Sequence, residues 1–94
     1  MNANKNFAII DNASDLIWWT GAAASPEAAC AAATLETGGD VATYESTYQF
    51  DGASGYFVYE APAGFNVDDG TDQAAIAEVS AMPLIGKYRE VSAN

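Results

Sequence analysis

The stretch from Ser25 to Gly39 constrains the fold of this chain more than any other. Ser25 suits a helix N-cap, Pro26 the first helical position, and Glu27 the positive end of the helix dipole. Ala28 to Thr37 continues with high helix propensity, and Gly38-Gly39 supplies the stop. Ala28, Ala31, Ala32 and Leu35 fall on one face at helical spacing, with Cys30 near it. A face so poor in bulk suits close approach to a sheet.

The segments around this helix have strand character. Phe7-Ala8-Ile9-Ile10 is a short apolar run, and Leu16-Ile17-Trp18-Trp19-Thr20 is aromatic and β-branched. Asp11 to Asp15 between them has turn chemistry, so the pair is expected to form a hairpin that Gly21 ends. Val41 to Phe50 alternates, with Ala42, Tyr44, Ser46, Tyr48 and Phe50 on the inner side. Asp51 to Gly55 has hairpin-loop length, and Tyr56 to Glu60 returns as a strand. A second helix is expected from about Thr71 to Met82, with Asp72 in its first turn and Ile76 and Val79 buried. Pro83 stops it, and Leu84 to Val91 forms the last strand. The expected fold is α+β: one domain over residues 1–94, mostly antiparallel sheet with two helices on one face, in the order β-β-α-β-β-α-β.

Composition narrows function. The chain has 94 residues, thirteen acidic and three basic, no histidine and one cysteine, for a net charge of −10. Three cations are too few for direct nucleic-acid binding by counterion release. Histidine catalysis and a Cys/His zinc site are excluded, and no internal disulfide can form. The lone cysteine fits a reducing, cytoplasmic setting, and the start of the chain shows no apolar leader or membrane span. A monomer is expected. Spread evenly over a surface of roughly 5,200 Å², thirteen carboxylates would stand about 20 Å apart, beyond the ~8 Å Debye length. Charge on this scale serves recognition only where it is crowded on one face.

Several motifs carry a functional and a plain reading. Gly55-Tyr56-Phe57-Val58-Tyr59 resembles the aromatic strand of RNA-recognition domains without its leading basic residue, and sheet packing is the expected role. Asp68-Asp69-Gly70-Thr71-Asp72 lacks the distal glutamate of a calcium loop, since Val79 stands there. It is read as a solvated turn and helix cap, with no metal and no cofactor. Trp18 and Trp19, adjacent on a strand, are expected to face opposite sides. Cys30 is read as a buried apolar residue. No catalytic residues are assigned, and the chain is not expected to be an enzyme.

The acids carry the functional expectation. Duplex DNA bears about one charge per 1.7 Å of axis, so thirteen carboxylates match six to seven base pairs. The first candidate surface is Glu45, Asp51, Glu60, Asp68, Asp69 and Asp72, around the expected hairpin of strands three and four. The second is Asp11, Asp15, Glu27, Glu36 and Asp40. In size, acidity and lack of catalytic residues the whole chain resembles phage-encoded anti-CRISPR inhibitors of the nucleic-acid-mimic type. That resemblance implies a non-enzymatic inhibitor, cytoplasmic in the host cell, whose partner is a basic nucleic-acid-binding protein or complex such as an RNA-guided surveillance complex. The competing expectations are a salt-adapted acidic domain with diffuse charge and an adaptor using exposed aromatics such as Trp18 or Trp19.

Overall fold

The computed structural model describes residues 4–39, 43–47 and 55–91. Its elements are β1 (Lys5–Asp11), β2 (Leu16–Ala23), α1 (Pro26–Glu36), β3 (Thr43–Ser46), β4 (Tyr56–Ala61), α2 (Gln73–Ser80) and β5 (Leu84–Val91). The five strands form one sheet in the order β2-β1-β4-β5-β3, and every neighbouring pair is antiparallel. This is the expected α+β class in the expected element order. Of the alternating stretch 41–50, Val41, Ala42 and Tyr48 to Phe50 lie outside the described residues, as do Asp51 to Ser54.

The helices do not share a face. Phe7 and Ile9 of β1 join Ala29, Cys30 and Ala33 of α1 in one buried cluster, while Ala8 and Ile10 join Ile17 and Val79 in another. α1 therefore lies on one face of the sheet and α2 on the other. The physical reason is visible in β1, where all of Phe7 to Ile10 is buried. A continuous apolar run, rather than an alternating one, belongs to a strand covered on both sides.

α1 is capped as its sequence dictates. The Ser25 hydroxyl accepts the Ala28 N–H at 3.1 Å, and Pro26 opens the first turn. Gly38 turns the chain out at φ 90°, and the Gly39 N–H closes on the Thr34 carbonyl at 2.9 Å. Its fully buried residues are Ala29, Cys30 and Ala33, with Ala28 and Ala32 only partly buried against the core and Leu35 54 % exposed. The buried stripe is thus rotated from the expected one. In a run of alanines, every phase of the pattern is equally apolar.

Three further expectations are corrected. β3 and β4 are not hairpin partners, because β5 lies between them and pairs with both. Trp18 and Trp19 do not face opposite sides, because Trp18 is the extra residue of a bulge: Ile9 pairs with Trp19 and Ile10 with Ile17. A bulge breaks the period of two, so both rings pack on the α1 side. Gly21 does not end β2 but lies within it. Any Cβ there would meet the Trp19 ring at 2.7 Å, so the indole folds over that glycine.

α2 begins two residues later than expected. Asp72 is its N-cap rather than a first-turn residue, accepting the Ala74 N–H at 3.0 Å. Val79 is buried and Ile76 half-buried, as expected. The segment before α2 runs along β2. The Val67 N–H donates to the Thr20 hydroxyl at 3.3 Å, and the Ile17 N–H donates to the Gly70 carbonyl at 3.0 Å. This outer edge of the sheet is thereby partly covered.

Candidate partner-binding surface

The six acids of the first candidate group divide between the two edges of the sheet. Glu45 stands on β3, at one edge. Asp68, Asp69 and Asp72 flank Gly70, which is bonded to Ile17 of β2 at the other. Four strand spacings, roughly 19 Å, separate those edges. Glu60 sits at the far end of β4, opposite Phe7. Asp51 and, from the second group, Asp40 lie outside the described residues.

The structure instead joins parts of the two groups. Asp11 and Asp15 bound the turn between β1 and β2, and Asp15 is two residues from Ile17, which holds Gly70. Asp11, Asp15, Asp68, Asp69 and Asp72 therefore border one end of the β2 edge. Glu27 and Glu36 remain apart from them at the two ends of α1. The link runs through hydrogen bonds between segments about fifty residues apart, Ile17 to Gly70 and Val67 to Thr20, which no local pattern announces.

Gly70 makes that approach possible. A Cβ at this position would collide with the Ile17 carbonyl oxygen, so only glycine allows the contact. The acids around it hold their own loops. Asp11 accepts the Ala13 N–H at 3.0 Å and the Ser14 hydroxyl at 3.3 Å. Asp69 accepts the Thr71 N–H at 2.9 Å and its hydroxyl at 2.6 Å. Those two bonds, the hydroxyl first, lower the Asp69 pKa and keep this exposed side chain ionised. The expected reading of residues 68–72 as a turn and cap is what these bonds describe.

The chain's three cations lie elsewhere. Lys5 is 3.8 Å from Glu60, and Arg89 meets Glu45 at 2.7 Å, with its Nε donating at 2.8 Å. Lys87 lies over the Phe57 ring, 5.7 Å from its centroid. Among the described residues, no ion pair involves the five carboxylates along the β2 edge, and no group of three potential ligands is placed to hold a metal ion.

The tryptophans have different environments. Trp19 is buried, and its indole N–H donates to Glu36 at 2.8 Å. Trp18 is half-buried and stacks on Tyr56, with ring centroids 4.2 Å apart. Tyr44 meets Tyr56 edge-on at 5.8 Å and shares a 2.5 Å hydrogen bond with Thr34. Burial, then the charges of Tyr44, Asp11 and Glu90, push the Tyr56 phenol up to about 12. Burial first and Glu27 second push the Cys30 thiol up to about 12. Cys30 is thus the buried apolar residue expected, held as an unreactive thiol.

An open cleft of about 380 Å³ lies beside β3 and the start of β5. Leu84 and Ile85 line it and are 48 % and 40 % exposed. Ile85 is the extra residue of a second bulge, which turns it out of the sheet pairing. Among the described residues, no acidic side chain lines this cleft. Among the described residues, no helix is long and apolar enough to cross a membrane. In comparisons with known proteins, no family model, no curated protein and no solved structure matches the chain. Its class rests on its own architecture, an α+β domain with an antiparallel sheet and a helix on each face.

Proposed function

We propose that this protein is a non-enzymatic inhibitor that occupies a Lys/Arg-lined groove of a nucleic-acid-binding partner, its carboxylates standing in for phosphates. The observation that carries this reading is charge segregation. All three cations lie at β5 or the start of β1, two of them beside Glu45 and Glu60. Among the described residues, no ion pair involves Asp11, Asp15, Asp68, Asp69 or Asp72, which border the β2 edge. Such an edge attracts a basic groove at long range and releases the counterions a phosphate backbone would. On this reading Asp68, Asp69 and Asp72 of the first candidate group make the primary contact, joined by Asp11 and Asp15. The resemblance in overall character to anti-CRISPR inhibitors makes an RNA-guided surveillance complex the first target to test.

A direct test measures binding to such a complex across salt concentrations. Affinity is expected to fall steeply with salt, and the combined change Asp15→Lys, Asp68→Lys and Asp69→Lys to abolish it. The same reversal at Glu45 and Glu60 should weaken it far less. Binding unchanged at 1 M salt, where the Debye length is about 3 Å, would rule the mechanism out. A second reading, an adaptor docking by apolar contact, is favoured by the exposed Leu84 and Ile85. It predicts salt-resistant binding that Leu84→Ser with Ile85→Ser removes.

A further inference from the structure

The bulge in β2 creates a feature that the charge reading does not use. It brings Trp18 to the α1 side of the sheet, where it stacks on Tyr56 with an interplanar angle of 18°. Both residues are only half-buried. Among the described residues, nothing accepts from the Trp18 indole N–H and nothing bonds the Tyr56 hydroxyl. No buried side-chain N or O lacks a partner, so both polar atoms reach solvent. Trp19 shows the contrast, with its N–H spent on Glu36.

Carboxylates flank the stack. Asp11 pairs directly with Tyr56 across β1 and β4, and Glu90 pairs with Tyr44, whose ring meets Tyr56 edge-on. Cross-strand partners share a face, so both acids project on the side of the stacked rings. The chain's own cations are engaged elsewhere: Lys5 is near Glu60, Arg89 near Glu45, and Lys87 over Phe57 on the α2 side. An aromatic platform edged by carboxylates is suited to a cation. A nucleobase would find the same rings, but its phosphates would meet a chain of net charge −10.

We propose that Trp18 and Tyr56, flanked by Asp11 and Glu90, form a socket for an arginine side chain of the basic partner. The guanidinium is planar and weakly hydrated, so it stacks on a ring while its edge donates to carboxylate and phenol oxygens. A lysine ammonium is compact, more strongly hydrated and less suited to that surface. The socket rests on the reading of the partner as basic. It adds a preference among cations that crowded negative charge alone does not produce.

The test titrates the full chain, isotopically labelled, with blocked hexa-arginine and hexa-lysine peptides at physiological salt. Both indole N–H resonances are followed, and Trp18→Phe assigns them. The arginine peptide is expected to shift the Trp18 resonance and to bind about two- to fivefold more tightly than the lysine peptide. Trp18→Leu, checked for folding by circular dichroism, should erase that advantage. Tyr56→Phe with Glu90→Gln, which keeps both side-chain shapes, should reduce it. Equal affinity for the two peptides with no movement of the Trp18 resonance would overturn the socket while leaving the charge reading intact. Failure of both peptides to bind would overturn both.

Discussion

Glu45 on β3 and Asp69 beside β2 are both exposed carboxylates near sheet edges, yet they are held in opposite ways. Glu45 faces Arg89 across the strands, so its charge is met within the chain. Asp69 is held by the N–H and hydroxyl of Thr71, which fix the side chain but leave its net charge unopposed. Asp11 and Asp72 likewise accept hydrogen bonds from turn and helix-start N–H groups. Hydrogen bonds to neutral donors can therefore order acids without cancelling their charge. This lets one edge keep its negative field while the other is locally balanced. On the proposed function, it also ties partner binding to stability along β2, because the loops carrying those acids seal that edge.

The largest effect is expected at high pH and acts on neither edge but on the face beneath α1. Cys30 and Tyr56, both on that face, are pushed up to about 12. Below pH 9 the thiol is protonated in folded and unfolded chains alike. Between about pH 9 and 12 the unfolded thiol ionises and the folded one does not. Stability should therefore fall as pH rises through that window, more steeply than at either edge for any single substitution. Urea midpoints from pH 8 to 11 test this, and Cys30→Ala should flatten the decline. No slope above pH 9 would contradict the buried thiol.

Next in size is Gly70→Ala. The added Cβ collides with the Ile17 carbonyl, so the loop must move from β2 at a cost of about 1–3 kcal/mol. Thermal melting should drop by at least ~4 °C, and amide exchange at Ile17 should accelerate. An unchanged melting point would mean that the β2 edge is not sealed as described. Asp72→Ala removes the N-cap of α2 and should cost about 1 kcal/mol, read from chemical denaturation. The smallest effect belongs to the other edge. Arg89→Ala breaks an exposed pair and should cost only about 0–1 kcal/mol, while deepening the net charge by one. If Arg89→Ala proved as costly as Gly70→Ala, the contrast between the two edges would fail.

Much of the local structure was legible in the sequence. The Ser25-Pro26 start and Gly38-Gly39 stop of α1, the strand Leu84–Val91 and the buried Val79 all follow from caps, breakers and spacing. The phase of α1 was not legible, because alanine fills almost every position from 28 to 33. The shared face of Trp18 and Trp19 was hidden as well, since one unpaired residue in β2 resets the alternation. The two-sided burial of β1 left a trace in Phe7-Ala8-Ile9-Ile10, where no polar residue interrupts the run.

By itself the sequence determined the elements, their order and the excess of acid over base, because these depend on neighbours a few residues apart. Tertiary structure alone decided that β5 separates β3 from β4, that each face carries one helix, and that Ile17 of β2 bonds to Gly70 before α2. Those outcomes depend on which strand edges pair and on one glycine thin enough to let two distant backbones touch. Long-range pairing is selected by the free energy of the whole assembled sheet, a quantity no local window of residues contains.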